Sequence, residues 1–165
     1  MVAAARLPMS EGTGTDPEPG MTALLHLVCP HCGAVNRLPR ARLADGGKCG
    51  SCRRRLFEGR PVAVDGAGLE RHVARNEVPV LVDFWASWCG PCRAMAPEFE
   101  TAASRLEPGV RLLKLDTEAA PEAAARLGIR SIPTLILFSG GRELARASGA
   151  VDAAAIESWV ASHSG

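Results

Sequence analysis

The chain has 165 residues, a length that allows one domain of ordinary size and a small appendage but not two full-sized cores. Its net charge of +1 and charged fraction of 22% give no global field that favours nucleic acid or an acidic membrane surface. Its apolar stretches, such as residues 134–138, are far shorter than the roughly 20 residues that cross a bilayer. We therefore predict no membrane span and no nucleic-acid partner.

The first 20 residues are rich in Gly, Pro, Thr and acidic side chains and show no hydrophobic period, which predicts a disordered leader. Met21 opens the first apolar segment, so an over-long start is the alternative. The leader lacks the apolar run of roughly 7 to 15 residues of a secretory signal, which predicts a cytoplasmic protein. In that compartment an even number of cysteines indicates metal binding or redox catalysis rather than a disulfide framework.

Residues 21–60 contain few apolar side chains and two cysteine pairs, so this segment needs a covalent or metal cross-link to fold. The pairs Cys29/Cys32 and Cys49/Cys52 are separated by sixteen residues, the spacing of a four-cysteine zinc site. We expect each pair to form a knuckle, the intervening segment to form a hairpin, and one structural Zn²⁺ to be bound per chain.

Several neighbours of these cysteines fit a zinc module. Gly33 and Gly50 follow cysteines where a knuckle needs an unhindered turn. Four thiolates around Zn²⁺ carry a net charge of minus two, which Lys48 and the arginines at 53–55 would offset. Two alternatives are a pair of disulfides, or His31 in place of one thiolate.

From residue 62 onward, strand and helix signals alternate, which predicts an α/β domain over residues 61–165 with helices on the faces of a sheet. The predicted strands are a buried strand at 80–85, strands at 110–115 and 132–138, and an edge strand at 142–148 that follows a turn at 140–141. One predicted helix begins at 91, with Met95, Phe99 and Leu106 on its helical period and a kink at Pro97, and a second begins at 121 and ends at 127 before Gly128. A last helix is capped by Asp152 and has Ile156, Trp159 and Val160 on its inner face.

The third cysteine pair, Cys89 and Cys92, lies at the predicted start of a helix. Unpaired N–H groups and the helix dipole lower the pKa of a cysteine there and favour its thiolate. Cys92 is close enough in the same turn to close a disulfide with Cys89. Pro91 fits the first helical turn, and Gly90 removes bulk beside the nucleophile.

Two charged residues interrupt the apolar strand runs. Burial should raise the pKa of Asp83 and make it a proton acceptor for a buried thiol. Lys114, in the neighbouring strand run, is the predicted counter-charge. The alternative for both is a solvated charge at a strand end.

The segment VDFWASWCGPC, followed by GIRSIPTLILF and SGGRE, resembles thioredoxin over residues 61–164. This resemblance implies a thioredoxin fold, a central mixed sheet flanked by helices, with Cys89 as the attacking thiol, Cys92 as the resolving thiol, and Asp83 and Lys114 handling the proton. It also implies a cis Pro133 against the cysteines and a backbone at Ile132 that pairs with an extended substrate. The same resemblance assigns the remaining substrate-binding positions to Trp88, Gly90, Pro91 and Gly149.

The arrangement CPHC, CGSC and then this domain resembles the bacterial cytosolic thioredoxins that carry an N-terminal zinc-ribbon-like module. The Gly-Pro dipeptide of the third pair resembles the reducing members of the family. The Pro-His dipeptide of the first pair occurs in oxidising relatives, but we expect neither a buried strand before Cys29 nor a helix after Cys32, and therefore no redox role there.

The resemblance implies a monomeric protein disulfide reductase that receives electrons from NADPH through a thioredoxin reductase. The alternative is a zinc-ribbon docking module whose thioredoxin domain serves mainly for binding. The intact pair of sulfurs argues against that alternative. A cysteine hydrolase lacks a base, because His72 and His163 fall in the first and last helices, far in sequence from the pair.

Overall fold

The computed structural model describes residues 23–164, so the predicted leader lies outside the described residues. The N-terminal part contains strands β1 (Leu24–Val28) and β2 (Val35–Pro39) and a 3₁₀ helix at Arg40–Asp45. The remaining elements are β3 (Val62–Ala63), α1 (Gly66–Arg75), β4 (Val80–Trp85), α2 (Gly90–Leu106), β5 (Arg111–Asp116), α3 (Pro121–Arg126), β6 (Thr134–Ser139), β7 (Arg142–Ser148) and α4 (Ala153–His163).

The larger sheet has the strand order β3-β5-β4-β6-β7. Strands β3, β5 and β4 pair in parallel, whereas β6 pairs antiparallel with both β4 and β7, so the predicted mixed sheet is confirmed. None of the helices in residues 23–164 is long and apolar enough to cross a membrane.

The core lies on both faces of this sheet. One cluster, which includes Phe99 and Ile156, packs the sheet against α2 and α4, and the other, which includes Leu69, packs it against α1 and α3. Strand β4 contributes Leu81 to the first cluster and Val82 to the second. A strand covered on both faces has a continuous apolar run, and this is why β4 was predicted with its observed bounds.

The other predicted elements are found within two residues of their expected ends. Strand β6 begins at Thr134 rather than at residue 132, because Pro133 has no N–H for a strand ladder. Pro97 lies inside α2. The Asp152 side chain caps α4 by accepting a hydrogen bond from the Ala155 N–H at 2.8 Å.

The N-terminal module differs from its prediction. Strand β1 precedes the first knuckle and pairs antiparallel with β2, so the hairpin encloses Cys29 and Cys32 instead of lying between the two pairs. A buried strand therefore does precede Cys29, contrary to expectation, with Leu25 and Leu27 in the core. Its outward residues, Leu24 and His26, are exposed, and a run of five mostly apolar residues is too short to identify a strand by its period alone.

The module is packed against the larger domain. Strand β1 pairs with the segment before β4, since the Glu77 N–H donates to the His26 carbonyl at 2.9 Å and the Val28 N–H donates to the Asn76 side chain at 2.8 Å. Val78 from this segment joins the apolar core of the module. The small module thus completes its core with residues of the larger domain.

A buried ion pair secures the same interface. Arg111, with no exposed surface, lies 3.4 Å from Glu107, donates to the Leu56 carbonyl, and stacks 4.1 Å from the centroid of the Phe57 ring. Glu107 in turn accepts from the Gly59 N–H at 3.0 Å. Because Arg111 begins β5 and the cysteine pair follows the end of β4, the module contacts the end of the sheet opposite Cys89.

Candidate functional site

Cys89 and Cys92 form a disulfide at the start of α2, with their Cα atoms 5.3 Å apart. Cys89 is the N-cap residue, and Gly90 and Pro91 begin the first turn. The Cys92 N–H donates to Cys89 Sγ at 3.2 Å. On reduction this donor and the helix dipole stabilise a Cys89 thiolate.

The surroundings of the pair are partly exposed. Cys89 and Cys92 themselves are 4% and 3% exposed, whereas the adjacent Trp88 is 65% exposed. Gly90 and Pro91 also lie at the surface. A protein chain can therefore approach the disulfide across these three neighbours.

Asp83 is 1% exposed, and its Oδ1 has no hydrogen-bond partner among the described residues. Burial raises the pKa of this carboxyl to about 7, and the positive charge of Lys114 opposes the rise. Lys114 is the register partner of Asp83 on β5, and its Nζ lies 4.9 Å from the centroid of the Trp85 ring. Asp83 can therefore take up and release a proton near neutral pH.

The loop before β6 lies against the cysteines. The Ile132–Pro133 peptide bond is cis, and the Ile132 carbonyl oxygen is 3.7 Å from Cys89 Sγ. The Gly149 N–H donates to the Pro133 carbonyl at 2.9 Å. Residues distant in sequence are thus brought together beside the disulfide.

A groove of about 190 Å³ adjoins this loop. Trp88 and Ile132 line it together with Thr117, Ala124, Ile129, Arg130 and Ser131. The Trp88 indole N–H donates to the Glu118 carboxylate at 2.8 Å, which orients the exposed ring. The groove therefore has an apolar wall beside the redox pair.

The other four cysteines form a separate cluster, with their Sγ atoms all within 4.8 Å of one another. The Cys29–Cys52 and Cys32–Cys49 sulfur separations are both 3.6 Å. Tetrahedral zinc with Zn–S bonds of about 2.3 Å places its sulfurs about 3.8 Å apart. The cluster therefore fits a four-thiolate metal ion, and all four are free cysteines.

Backbone donors surround these sulfurs. The N–H groups of His31 and Ser51 each lie 3.4 Å from the sulfur two residues earlier, those of Cys29 and Cys49. Such bonds stabilise metal-bound thiolates. His31 is not a member of the cluster, since its Nε2 lies 3.3 Å from Glu58, so the structure does not favour it as a ligand.

Gly33 and Gly50 both lie in the knuckle turns, and only Gly33 has a left-handed backbone. Gly33 has a φ of 77°, and the equivalent position after the second pair is Arg53, with a φ of 68°. Gly50 instead donates its N–H to Asn36 at 2.9 Å. Each knuckle needs a left-handed residue after its second cysteine, and the second knuckle places an arginine there.

Several residues of these sites escaped the sequence analysis. Asn36 joins the knuckles, since its side-chain amide also donates to Cys49 Sγ at 3.5 Å. Glu118 orients Trp88, and Arg111 holds the module. Arg111 could have been suspected, because a charge inside an apolar strand run is the signal that identified Asp83.

Comparisons with known proteins agree with this geometry. A family model described as Thioredoxin matches residues 61–162, and one described as Thioredoxin 2, N-terminal, a zinc ribbon, matches residues 28–54. Thioredoxin C-3 of Corynebacterium nephridii is 40% identical over 134 residues, which are 81% of this chain and 92% of the relative. A thioredoxin of Synechocystis sp. is 47% identical over 88 residues, 53% of this chain and 82% of that protein.

Solved structures agree in the same way. A mutant thioredoxin from Halobacterium salinarum NRC-1 superposes with a TM-score of 0.60 at 31% identity, covering 66% of this chain and 95% of that one. Chloroplastic thioredoxin z gives a TM-score of 0.59 at 30% identity over 64% of this chain and 95% of that chain. With a helix-capping disulfide in the larger domain and four clustered cysteines in the smaller one, the chain belongs to the thioredoxin family, as a thiol–disulfide oxidoreductase of the two-domain zinc-ribbon type.

Proposed function

We propose that this thiol–disulfide oxidoreductase is a general protein disulfide reductase that receives its electrons from NADPH through a thioredoxin reductase. The observation that carries the proposal is the Cys89/Cys92 disulfide at the N-terminus of α2, next to an exposed tryptophan and groove. A protein substrate needs such an open surface, whereas a small-molecule site is enclosed.

In the proposed reaction the Cys89 thiolate attacks one sulfur of a substrate disulfide. A mixed disulfide forms, and the other substrate sulfur leaves as a thiolate. The Cys92 thiolate then attacks Cys89 Sγ, which closes the enzyme disulfide and releases the second substrate sulfur. Two electrons pass from the enzyme to the substrate, and the two substrate thiolates take up two protons. Exposure of Trp88, Gly90 and Pro91 beside Cys89 supports the assignment of Cys89 as the attacking residue.

Asp83 is proposed to accept the proton of the Cys92 thiol before the second step. A base that works near neutral pH needs a pKa near 7, and burial gives Asp83 that value. Lys114, its register partner, is proposed to stabilise the ionised carboxylate.

The proposed substrate site follows the loop before β6. The backbone of Ile132 would pair with an extended substrate segment beside the cysteines, as Pro133 and Gly149 hold this loop in place. Trp88 and the adjoining groove would receive substrate side chains.

Insulin reduction in the presence of NADPH and a bacterial thioredoxin reductase tests the proposal. We expect NADPH oxidation, followed at 340 nm, that depends on both the reductase and this chain. Insulin reduction with dithiothreitol but not with NADPH and reductase would contradict the electron source. Failure with both reductants would contradict the reductase function itself.

We also propose that the four-cysteine cluster binds one structural Zn²⁺ per chain. Four matched sulfurs leave no coordination position for a substrate or water. Metal analysis of protein purified under reducing conditions should give about one zinc per chain. Cys49→Ser should lose most of that zinc, and the matched variant Cys92→Ser should retain it. Zinc absent from the unmodified chain would refute the proposal.

A further inference from the structure

The two parts of the chain carry opposite charge. Residues 23–60 contain eight basic residues (Lys and Arg) and two acidic residues (Asp and Glu), a net charge of +6. Residues 61–164 contain ten basic and thirteen acidic residues, a net charge of −3. A zinc ion with four thiolates would add minus two to the module and leave it at +4. Balancing the metal cluster therefore accounts for only part of the basic charge.

Most of these basic groups have no acidic neighbour. Within residues 23–164, Arg42 is the member of the eight that forms an ion pair, with Asp45 at 3.6 Å. Four basic residues of the catalytic domain are paired with carboxylates: Arg105, Arg111, Arg126 and Arg146. The module thus presents free positive charge at its surface.

The free charge is concentrated on the second knuckle. Lys48 and Arg55 are direct partners in an antiparallel bridge, so two like charges lie side by side on one face. Arg53 occupies the left-handed position that the first knuckle fills with Gly33. Lys48 and residues 53–55 are all exposed. Both arrangements are locally unfavourable, and four thiolates around Zn²⁺ would offset only part of the positive charge.

The two knuckles also face different surroundings. Gly33 of the first knuckle packs against α1, where the Arg71 guanidinium would have to move to admit a Cβ atom. On the second knuckle, Lys48 and residues 53–55 are exposed to solvent. The aromatic residue of the described module, Phe57, is buried beneath Arg111. The surface therefore lacks the stacking platform of proteins that bind single-stranded nucleic acid, and its arginines suit carboxylates.

We propose that the second knuckle, defined by Lys48, Arg53, Arg54 and Arg55, is a docking surface for an acidic segment of a disulfide-containing protein substrate. The inference rests on the proposed reductase function. Strand β4 alone separates the module from Cys89 by about 20 Å, so the acidic segment must lie at least that far from the substrate disulfide. Contact at both places raises the effective concentration of the disulfide at Cys89.

A pair of tethered substrates tests this surface. A fluorogenic disulfide peptide is joined by a flexible Gly/Ser linker of about 40 residues, with a reach of about 35 Å, to a tail of eight Glu or of eight Ser. The full chain is reduced beforehand, and the rate of substrate reduction is measured. We expect the Glu-tailed substrate to react about tenfold faster at 20 mM salt, and within about twofold of the Ser-tailed one at 500 mM.

The variant K48Q/R54Q/R55Q should lose the acceleration while reducing the Ser-tailed substrate at the unchanged rate. It leaves the left-handed position untouched, and zinc content checks its fold. The matched variant R105Q/R126Q/R142Q removes three exposed arginines of the catalytic domain and should keep the acceleration. The salt series on the unmodified chain tests the proposal independently of any variant.

Equal rates for the two tails at low salt would overturn the inference and leave the reductase function standing. Failure to reduce either tail would overturn the function. Tighter binding of a 20-nucleotide single-stranded DNA than of the Glu tail, weakened by the same triple variant, would replace the acidic protein by nucleic acid.

Discussion

The thioredoxin domain and the N-terminal module both use the Cys-x-x-Cys spacing, with different outcomes. In the thioredoxin domain one pair caps a 17-residue helix, and its sulfurs bond to each other. In the module each pair turns a short knuckle, and its sulfurs lie near those of the other pair. The spacing is shared, and the structure that follows the second cysteine differs: a helix after Cys92 and a left-handed turn after Cys32 and Cys52.

This difference teaches that a helix N-terminus and a knuckle stabilise thiolates by different means. The helix provides its dipole and an N–H donor to a single reactive sulfur. The knuckles gather four sulfurs within 4.8 Å of one another, and a cation at their centre would stabilise all four as thiolates. The pair at the helix N-terminus is therefore the one whose surroundings favour a single reactive thiolate.

The largest expected effect comes from Cys89→Ser. Loss of the nucleophile should lower the rate of insulin reduction at least about a thousandfold, because no other sulfur has its position. The matched variant Cys32→Ser changes the exposed cysteine of the module and should retain the rate within about twofold. Comparable losses in the two variants would show that the module's cysteines take part in the chemistry.

Arg111→Met tests whether the two regions form one cooperative unit. The substitution leaves Glu107 buried without its partner and should lower the free energy of unfolding by about 3–5 kcal/mol. Urea unfolding measures the change. Arg105→Met breaks the exposed pair with Glu157 and should cost less than about 1 kcal/mol. A small effect of Arg111→Met would indicate that the module is held mainly by its apolar contacts.

Asp83→Asn tests the buried carboxyl of the catalytic region. The folded state raises the pKa of Asp83 to about 7, so ionisation destabilises the fold progressively as pH rises from about 4 to about 7. The variant should be more stable than the unmodified chain by roughly 2–4 kcal/mol at pH 8 and should show no gain at pH 4.

Urea unfolding at both pH values measures this difference for Asp83→Asn. The matched variant Asp116→Asn makes the same change at a less buried carboxyl on the neighbouring strand and serves as the control. A gain that is equal at pH 4 and pH 8 would contradict the assignment of the effect to ionisation.

The smallest expected effect concerns Trp88, an exposed aromatic residue of the thioredoxin domain; the aromatic residue of the described module, Phe57, is buried. Trp88→Ala should lower kcat/KM for insulin roughly three- to tenfold and leave the reduction of a small aromatic disulfide nearly unchanged. Its free energy of unfolding should change by less than about 0.5 kcal/mol, since the ring is 65% exposed. The control Leu144→Ala removes another exposed apolar side chain, far from the groove, and should leave both rates unchanged. Equal losses with both substrates would contradict a docking role.

Much of the fold was predictable where one pattern dominated. The continuous apolar run of β4 and the Asp152 cap of α4 identified their elements, because a doubly covered strand and a helix N-terminus have local signatures. Strand β1 was missed, since an apolar run of five residues is too short for its period to distinguish a strand from other structure. The hairpin was predicted between the two cysteine pairs instead of around the first pair. Without β1, the partner of β2 could not be identified.

The sequence by itself determined the division of the six cysteines into one pair at a helix N-terminus and two pairs with the spacing of a four-cysteine metal site. Both signals are a Cys-x-x-Cys spacing combined with the kind of segment that follows it, and these are local features that can be read from the sequence. The charge of the second knuckle is equally visible there.

The tertiary structure alone decided where the two regions lie. It placed the module at the end of the sheet opposite Cys89, buried Arg111 beneath it, and brought Pro133 and Gly149 beside the disulfide. These contacts join residues far apart in sequence. They arise because the module lacks a sufficient core of its own and must borrow apolar surface from the larger domain.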